Sequence, residues 1–474
     1  MDVTQAAAPP LGRVRQFWDL VREGLKGSTR DFAEGPVGQA VIVLAIPSVM
    51  EMSMESLFAV VDVFFVSQLG ADAVAAVGLT EAMLAIVYSV AVGLCIGAGA
   101  VVARRIGEKD PEGAAVAAVQ VIAVGILVAA AIGVIGALNA RRLLSLMGAD
   151  DSVLGYPARF TIIMLGGNVV IVLIFLINAI FRAAGDAAIA MRVLWIANLI
   201  NLVLDPLFIF GIGPFPELGV VGAAVATTTG RGTAVCIQLA VLFSGRGRIA
   251  VARRHLRLVP EAMWNVCRLS GVGMLQILVH TTAWIGLVRV ISSFGSAAIA
   301  GYTIGIRTIL FALLPSWGLS AAAATMVGQA LGRGKPERAE RAVWTACRYN
   351  LMFLGTIGFV FVVFARNIVA LYTNDPEITR HAINCLRIVS LGFVFYAYGM
   401  VVTQSFNGAG DTWTPTWINL GCLWMWQIPL AWVMALQLEL GPAGVYVAIM
   451  IAFSTLAVVS AAIFKRGRWK LKRV

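Results

Sequence analysis

Twelve long apolar runs, separated by short polar breaks, fill most of this 474-residue chain. They fall near 38–68, 75–103, 113–138, 156–181, 187–212, 217–243, 262–293, 298–330, 341–365, 382–407, 413–437 and 443–464. A helix needs roughly 20 apolar residues to cross a bilayer, so each run is long enough to span. Only 13% of the residues are charged and 59% are hydrophobic, whereas a soluble domain is about 25% charged. So few charges cannot coat a water-soluble shell, which excludes a cytosolic globular enzyme. Twelve spans take about 240 residues at minimum length, so the loops are short and no separate soluble domain fits between them. The expected fold is an all-α integral membrane protein of twelve transmembrane helices.

Basic residues orient these spans. Placed by span order, 25 of the 36 Lys and Arg fall on one side and six on the other, which puts both termini in the cytoplasm. The formal charge of +11 is then a loop excess and not a nucleic-acid footprint. Residues 1–36 carry Asp19, Glu23, Asp31 and Glu34 and lack the apolar core of a secretory signal. There Leu11, Val14, Trp18, Val21 and Leu25 recur at helical steps with arginines between them, the pattern of an amphipathic helix on a membrane surface. The six cysteines are scattered without a C-x-x-C and read as packing residues.

A shift of 225 aligns the chain with itself. Gly70 meets Gly295, Gly93-Leu94 meets Gly318-Leu319, and Gly107, Pro111 and Glu112 meet Gly332, Pro336 and Glu337. The "AAGD" ending at Asp186 meets the "GAGD" ending at Asp411. Six spans per repeat keep the halves parallel, and two bundles facing across a cleft is a transporter plan. The expected division is an amphipathic segment at 1–36, an N-lobe at 37–243, a basic linker at 244–260, a C-lobe at 261–464 and a basic tail at 465–474.

Charges inside spans cost about 2.5–3.5 kcal/mol each at a helix centre and mark function by default. The deep carboxylates are Glu51, Glu55, Asp62, Glu81 and Asp205, all in the first half. Glu51, Glu55 and Asp62 share one helix face, with Pro47 one turn before Glu51 as a point of bending. Asn201 and Asp205, four residues apart, share another. If Asp62 and Asp205 approach each other, repulsion favours one shared proton or monovalent cation between them. In the second half His280 stands where Glu55 stands in the first. Arg231, Arg289 and Arg307 also lie in spans, and Trp413, Trp417, Trp424, Trp426 and Trp432 form an aromatic cluster that fits an interfacial belt.

These residues lie in segments that resemble the multidrug and toxic compound extrusion (MATE) family. The likeness runs over about 38–464 and rests on "IPSVMEMSMESLFAVVDVFFVSQLG", "FRAAGDAAIAMRVLWIANLINLVLDPLFIFG", "GVVGAAVAT", "VGQALGRGKPERA" and "FNGAGDTWTP". The resemblance implies two six-helix lobes in a V, exporting organic cations and drugs in exchange for Na⁺ or H⁺. It matches Asp62 and Pro47 to the family's first helix, and Asn201 and Asp205 to its fifth. Asn178 and Thr227 match polar partners of the same cation site, with Na⁺ a candidate at Asp62, Asn201 and Asp205. Where some branches place C-lobe acids, this chain has His280 and Tyr396.

The expected function is therefore a secondary antiporter in a bacterial inner membrane, monomeric and without a cofactor beyond its coupling ion. Its partners would be small organic substrates and the bilayer. A lipid-linked oligosaccharide flippase, whose cavity arginines would be Arg231, Arg289 and Arg307, is the alternative. No H-E-x-x-H, G-x-S-x-G or Walker loop supports an enzyme.

Overall fold

The computed structural model describes residues 10–472, with the side chains of 10–13, 59–63, 67 and 71 outside the description. The helices run α1 (Pro10–Lys26), α2 (Val37–Ser67), α3 (Ala71–Gly107), α4 (Pro111–Leu146), α5 (Asp151–Leu154), α6 (Ala158–Gly166), α7 (Asn168–Ala184), α8 (Ala187–Phe210) and α9 (Val220–Ser244). The second half continues with α10 (Pro260–Ile291), α11 (Ser296–Gly332), α12 (Pro336–Val369), α13 (Pro376–Leu391), α14 (Phe393–Gly408), α15 (Trp413–Asn419), α16 (Ile428–Trp432) and α17 (Pro442–Lys465). Two π-helical stretches, Leu420–Gln427 and Val433–Gln437, join with α15 and α16 into one span. Ten helical segments are long and apolar enough to cross a membrane, and two bent pairs bring the number to twelve among the described residues. The bends, 43° between α6 and α7 and 60° between α13 and α14, fall at Gly167 and Gly392, which are 225 residues apart.

The repeat is conserved at the level of backbone angles. Gly70, before α3, has φ 94° and ψ 177°; Gly295, before α11, has φ 91° and ψ 176°. Only glycine enters that region without strain, and the helices it starts are both 37 residues long. Farther on, Asp186 accepts from the Arg248 N–H at 2.6 Å and faces its Nε at 3.4 Å. In the second half Asp411 pairs with Lys472 Nζ at 3.2 Å. Each lobe thus ties its own trailing segment back to the same turn. Burial pushes the Asp186 carboxyl above its ordinary value, and the bonds from Arg248 pull it back.

The lobes meet along α2 against α11 and α3 against α10 and α11. The first half of α2 buries Val41, Val43 and Leu44 in the C-lobe core with Ala323, Met326 and Val327. Close backbone approaches gather toward the end of the bundle that carries α1 and the C-terminal segment, here called the terminal face. A Cβ on Gly107 would run into the Gln329 carbonyl, and one on Gly332 into the Arg104 carbonyl. These two approaches are repeat mates. Gly107→Val is expected to disfavour this closed face by about 1–3 kcal/mol, since the obstacle is backbone and cannot swing away. Spin labels on the terminal ends of α3 and α11 would then report a longer distance than in the parent protein; an unchanged distance would contradict the packing.

Residues 28–35 strap the two lobes together at this face. Arg248 donates to the Ser28 and Arg30 carbonyls at 2.8 and 2.6 Å. From the other lobe, Arg338 donates to the carbonyls of Phe32, Glu34 and Gly35, and Arg333 pairs with Asp31. The Phe32 ring is buried under the Arg248 guanidinium, 4.7 Å from it. Leu20 of α1 is buried against α2 while Val14, Phe17 and Trp18 stay exposed, as an amphipathic helix requires.

Candidate functional site

The candidate ion site lies where α9 presses on α8. Gly230 allows it: a side chain there would meet the Ala197 carbonyl and the Asn201 Cβ. Thr227, one turn earlier on α9, then faces Asn201, which reaches Asp205; all three are buried, Asp205 with no exposed surface. The Asn201 amide fits with its nitrogen donating to Asp205 Oδ2 at 2.7 Å. Its oxygen then accepts from the Thr227 N–H and hydroxyl, both at 3.1 Å. Pro206 follows Asp205 and leaves the Leu202 carbonyl without its usual helical donor. The site offers carboxylate, amide and hydroxyl oxygens, hard donors that suit a hard cation, and the carboxylate also takes a proton. Asp62 lies in α2, but its side chain falls outside the described residues.

A second polar cluster crosses α2, α7 and α9, and it takes up Asn178. That amide donates to Glu51 Oε1 at 2.9 Å and accepts from Gln238 Nε2 at 2.6 Å. Arg182, one turn beyond Asn178, pairs with the same Glu51 oxygen at 2.5 Å. The structure therefore seats Asn178 on Glu51, whereas the family resemblance assigned it to the cation site. Arg182 belongs to the last turn of α7 and its side chain reaches into the protein to meet Glu51. One turn along α2, Glu55 pairs with Arg231 Nη2 at 3.2 Å, and Arg231 Nη1 donates to the Tyr88 hydroxyl at 3.2 Å.

The second cluster borders a cavity of about 370 Å³ between the lobes through Arg182 and Glu55. Glu55, Tyr88, Phe175 and Arg182 line it from the N-lobe, and Trp317, Thr325, Gln404 and Asn407 from the C-lobe. Toward the terminal face Thr325 donates to the Arg182 carbonyl at 3.2 Å and Gln329 to the Ala183 carbonyl at 2.8 Å. These two bonds tie α11 to α7 across the cleft.

Other sequence candidates lie apart from these clusters. Glu81 is exposed on α3. No hydrogen bond is made by the His280 ring among the described residues. The Tyr396 ring packs on Phe453, 4.3 Å between centroids. Arg289 and Arg307 are exposed and do not line the central cavity. Trp413, Trp417, Trp424, Trp426 and Trp432 are also exposed, and Trp424 donates to Thr282 at 3.0 Å. The sequence reading missed Gln238 and Tyr88, whose contacts join residues 60 and 143 positions apart.

The MatE family profile matches residues 47–207 and 274–433, once in each half. The chain belongs to the MatE family. It is similar to the probable multidrug resistance protein NorM of Thermotoga maritima, 25% identical over 438 residues that cover 92% of this chain and 94% of that one. A protein of Shewanella oneidensis named FAD transporter is 25% identical over 396 residues, covering 84% and 88%. Among solved structures, one described as the outward-facing conformation of a multidrug resistance MATE family transporter superposes with a TM-score of 0.85. Its identity is 27%, and the match covers 92% of this chain and 97% of that chain. This MatE protein is a multi-pass membrane transporter and not an enzyme.

Proposed function

We propose that this MatE protein is an antiporter that expels small lipophilic organic compounds, many of them cationic, in exchange for H⁺ or Na⁺. One observation carries the reading: a buried carboxylate with its own amide and hydroxyl partners in one lobe of a two-lobed cleft. In this reading the terminal face is cytoplasmic, as the basic residues suggest, and the cleft opens outward. The ion enters from outside and settles on Asp205, Asn201 and Thr227, with Asp62 as the fourth participant. Occupancy alters how α2 bends at Pro47 and so favours the state that releases substrate. Exchange is coupled only if ion and substrate favour different states. Each tenfold ion gradient is worth about 1.4 kcal/mol, enough to hold a similar substrate gradient at one-for-one exchange.

The N-lobe carboxylates favour this reading over a lipid-linked glycan flippase, whose cavity would be lined by arginine. Arg289 and Arg307 lie elsewhere, and Arg231 is engaged with Glu55. A second reading, an anionic substrate, draws on Arg182 in the cavity wall and on the relative named FAD transporter. Liposomes carrying the purified protein separate them. Ethidium movement is measured under a pH gradient without sodium, then under a sodium gradient at clamped pH, with FAD and a lipid-linked sugar in parallel vesicles. Ethidium exchange under one gradient supports the proposal and names the ion. Movement of FAD or the lipid-linked sugar alone would overturn it.

A further inference from the structure

The two Glu–Arg pairs beside the cavity are built differently. Glu51 and Arg182 meet at 2.5 Å, and the Glu51 side chain is only 2% exposed. Glu55 and Arg231 meet at 3.2 Å, and the Glu55 side chain is 25% exposed while the Arg231 side chain is 8% exposed. A charge-assisted N–H···O bond is ordinarily about 2.7–2.9 Å, so the second pair is loose, with its carboxylate reachable from the cleft. The Arg231 guanidinium also sits 5.7 Å from the centroid of the Phe58 ring and donates to the Tyr88 hydroxyl. A carboxylate, a phenol oxygen and an aromatic face are the groups that recognise a flat organic cation. Here they hold the protein's own.

We propose that Glu55, Tyr88 and Phe58 form a binding site for planar aromatic cations, and that Arg231 is its tethered occupant, displaced when such a cation binds. The proposal rests on the reading of this protein as an exporter of organic compounds. Glu55 and Tyr88 line the 370 Å³ cavity, so a flat cation in the cleft reaches the carboxylate from the side that Arg231 leaves open. A site occupied internally most of the time binds its ligand more weakly, in proportion to the fraction of time it is vacant. Arg231 therefore works as a filter: it lowers affinity for every cation and admits those whose flat ring system gains enough against Phe58 and the cavity wall.

The test is equilibrium binding of ethidium to the purified full-length protein in detergent, read by anisotropy. Arg231→Gln is expected to tighten binding about tenfold if the guanidinium holds the site about nine-tenths of the time. Arg231→Lys, which keeps the charge but loses the planar fork, is expected to fall between the two and guards against a glutamine variant that does not fold. Glu55→Gln should weaken binding, and the anionic dye fluorescein should gain nothing from Arg231→Gln. Unchanged or weaker ethidium binding in both arginine variants, beside normal binding by the parent protein, would overturn the cage and leave the exporter reading standing. No binding or transport of any organic cation by the parent would remove both.

Discussion

Asp205→Asn is expected to abolish ion-driven transport while leaving the protein folded and able to bind substrate. The substitution preserves shape and removes the charge. Asp205 has no exposed surface, and its carboxylate accepts from Asn201; an asparagine oxygen can accept the same bond, so the stability change should stay within about 1 kcal/mol. An amide neither takes up a proton nor balances a sodium ion at neutral pH. Uptake of ethidium under an imposed gradient should therefore fall to the level of protein-free vesicles, while ethidium binding in detergent stays within a factor of a few. Thr227→Val makes a graded companion. It removes one hydroxyl, worth about 1 kcal/mol, and should weaken the ion dependence by roughly fivefold without ending it. Gradient-driven uptake by Asp205→Asn at the parental rate, with the parental ion dependence, would place coupling elsewhere in the protein.

The Asn201–Asp205 pair was legible because both residues lie on one helix, where a spacing of four fixes a shared face. The same holds for the carboxylates of α2 and for the spans, whose apolar lengths are set by the bilayer. The repeat even contained the bends: Gly167 and Gly392 occupy matching places, although hydropathy alone drew both spans as continuous. The partners of Glu51 were not legible. Asn178 lies 127 residues from Glu51 and Arg182 lies 131 residues from it, and the two helices that bring them together, α2 and α7, carry no sequence mark of their packing. Arg182 was hard to place for a related reason. It lies in the last turn of α7, three residues before the Gly185 turn, and an arginine at such a position belongs equally to a loop or to the interior. A carboxylate buried as deeply as Glu51 needs a cation nearby, and that demand was the one signal pointing Arg182 inward. The π-helical stretches near Trp424 left no trace either, since a local widening does not change the apolar character of the run.

Arg182→Met is expected to be the most destabilising single change at the cavity. It leaves the Glu51 carboxylate, 2% exposed, with only the Asn178 amide for company. Breaking a buried pair in this way costs about 3–5 kcal/mol, because the surviving charge has neither water nor a counter-ion. The reverse change, Glu51→Gln, should cost less. Its orphan is Arg182, whose side chain is more exposed at 13% and borders the cavity, where water can hydrate it. The double variant Glu51→Gln/Arg182→Met removes both charges, so it should recover most of the loss suffered by Arg182→Met alone. Thermal unfolding of the four proteins in one detergent gives the comparison. Equal losses for the two single variants, or a double variant no better than Arg182→Met, would contradict the burial on which the order depends. The expected order also explains why two neighbouring Glu–Arg pairs take different tasks. The sealed pair holds α2 against α7 beneath the cavity, and the looser pair one turn away leaves its carboxylate open to a ligand.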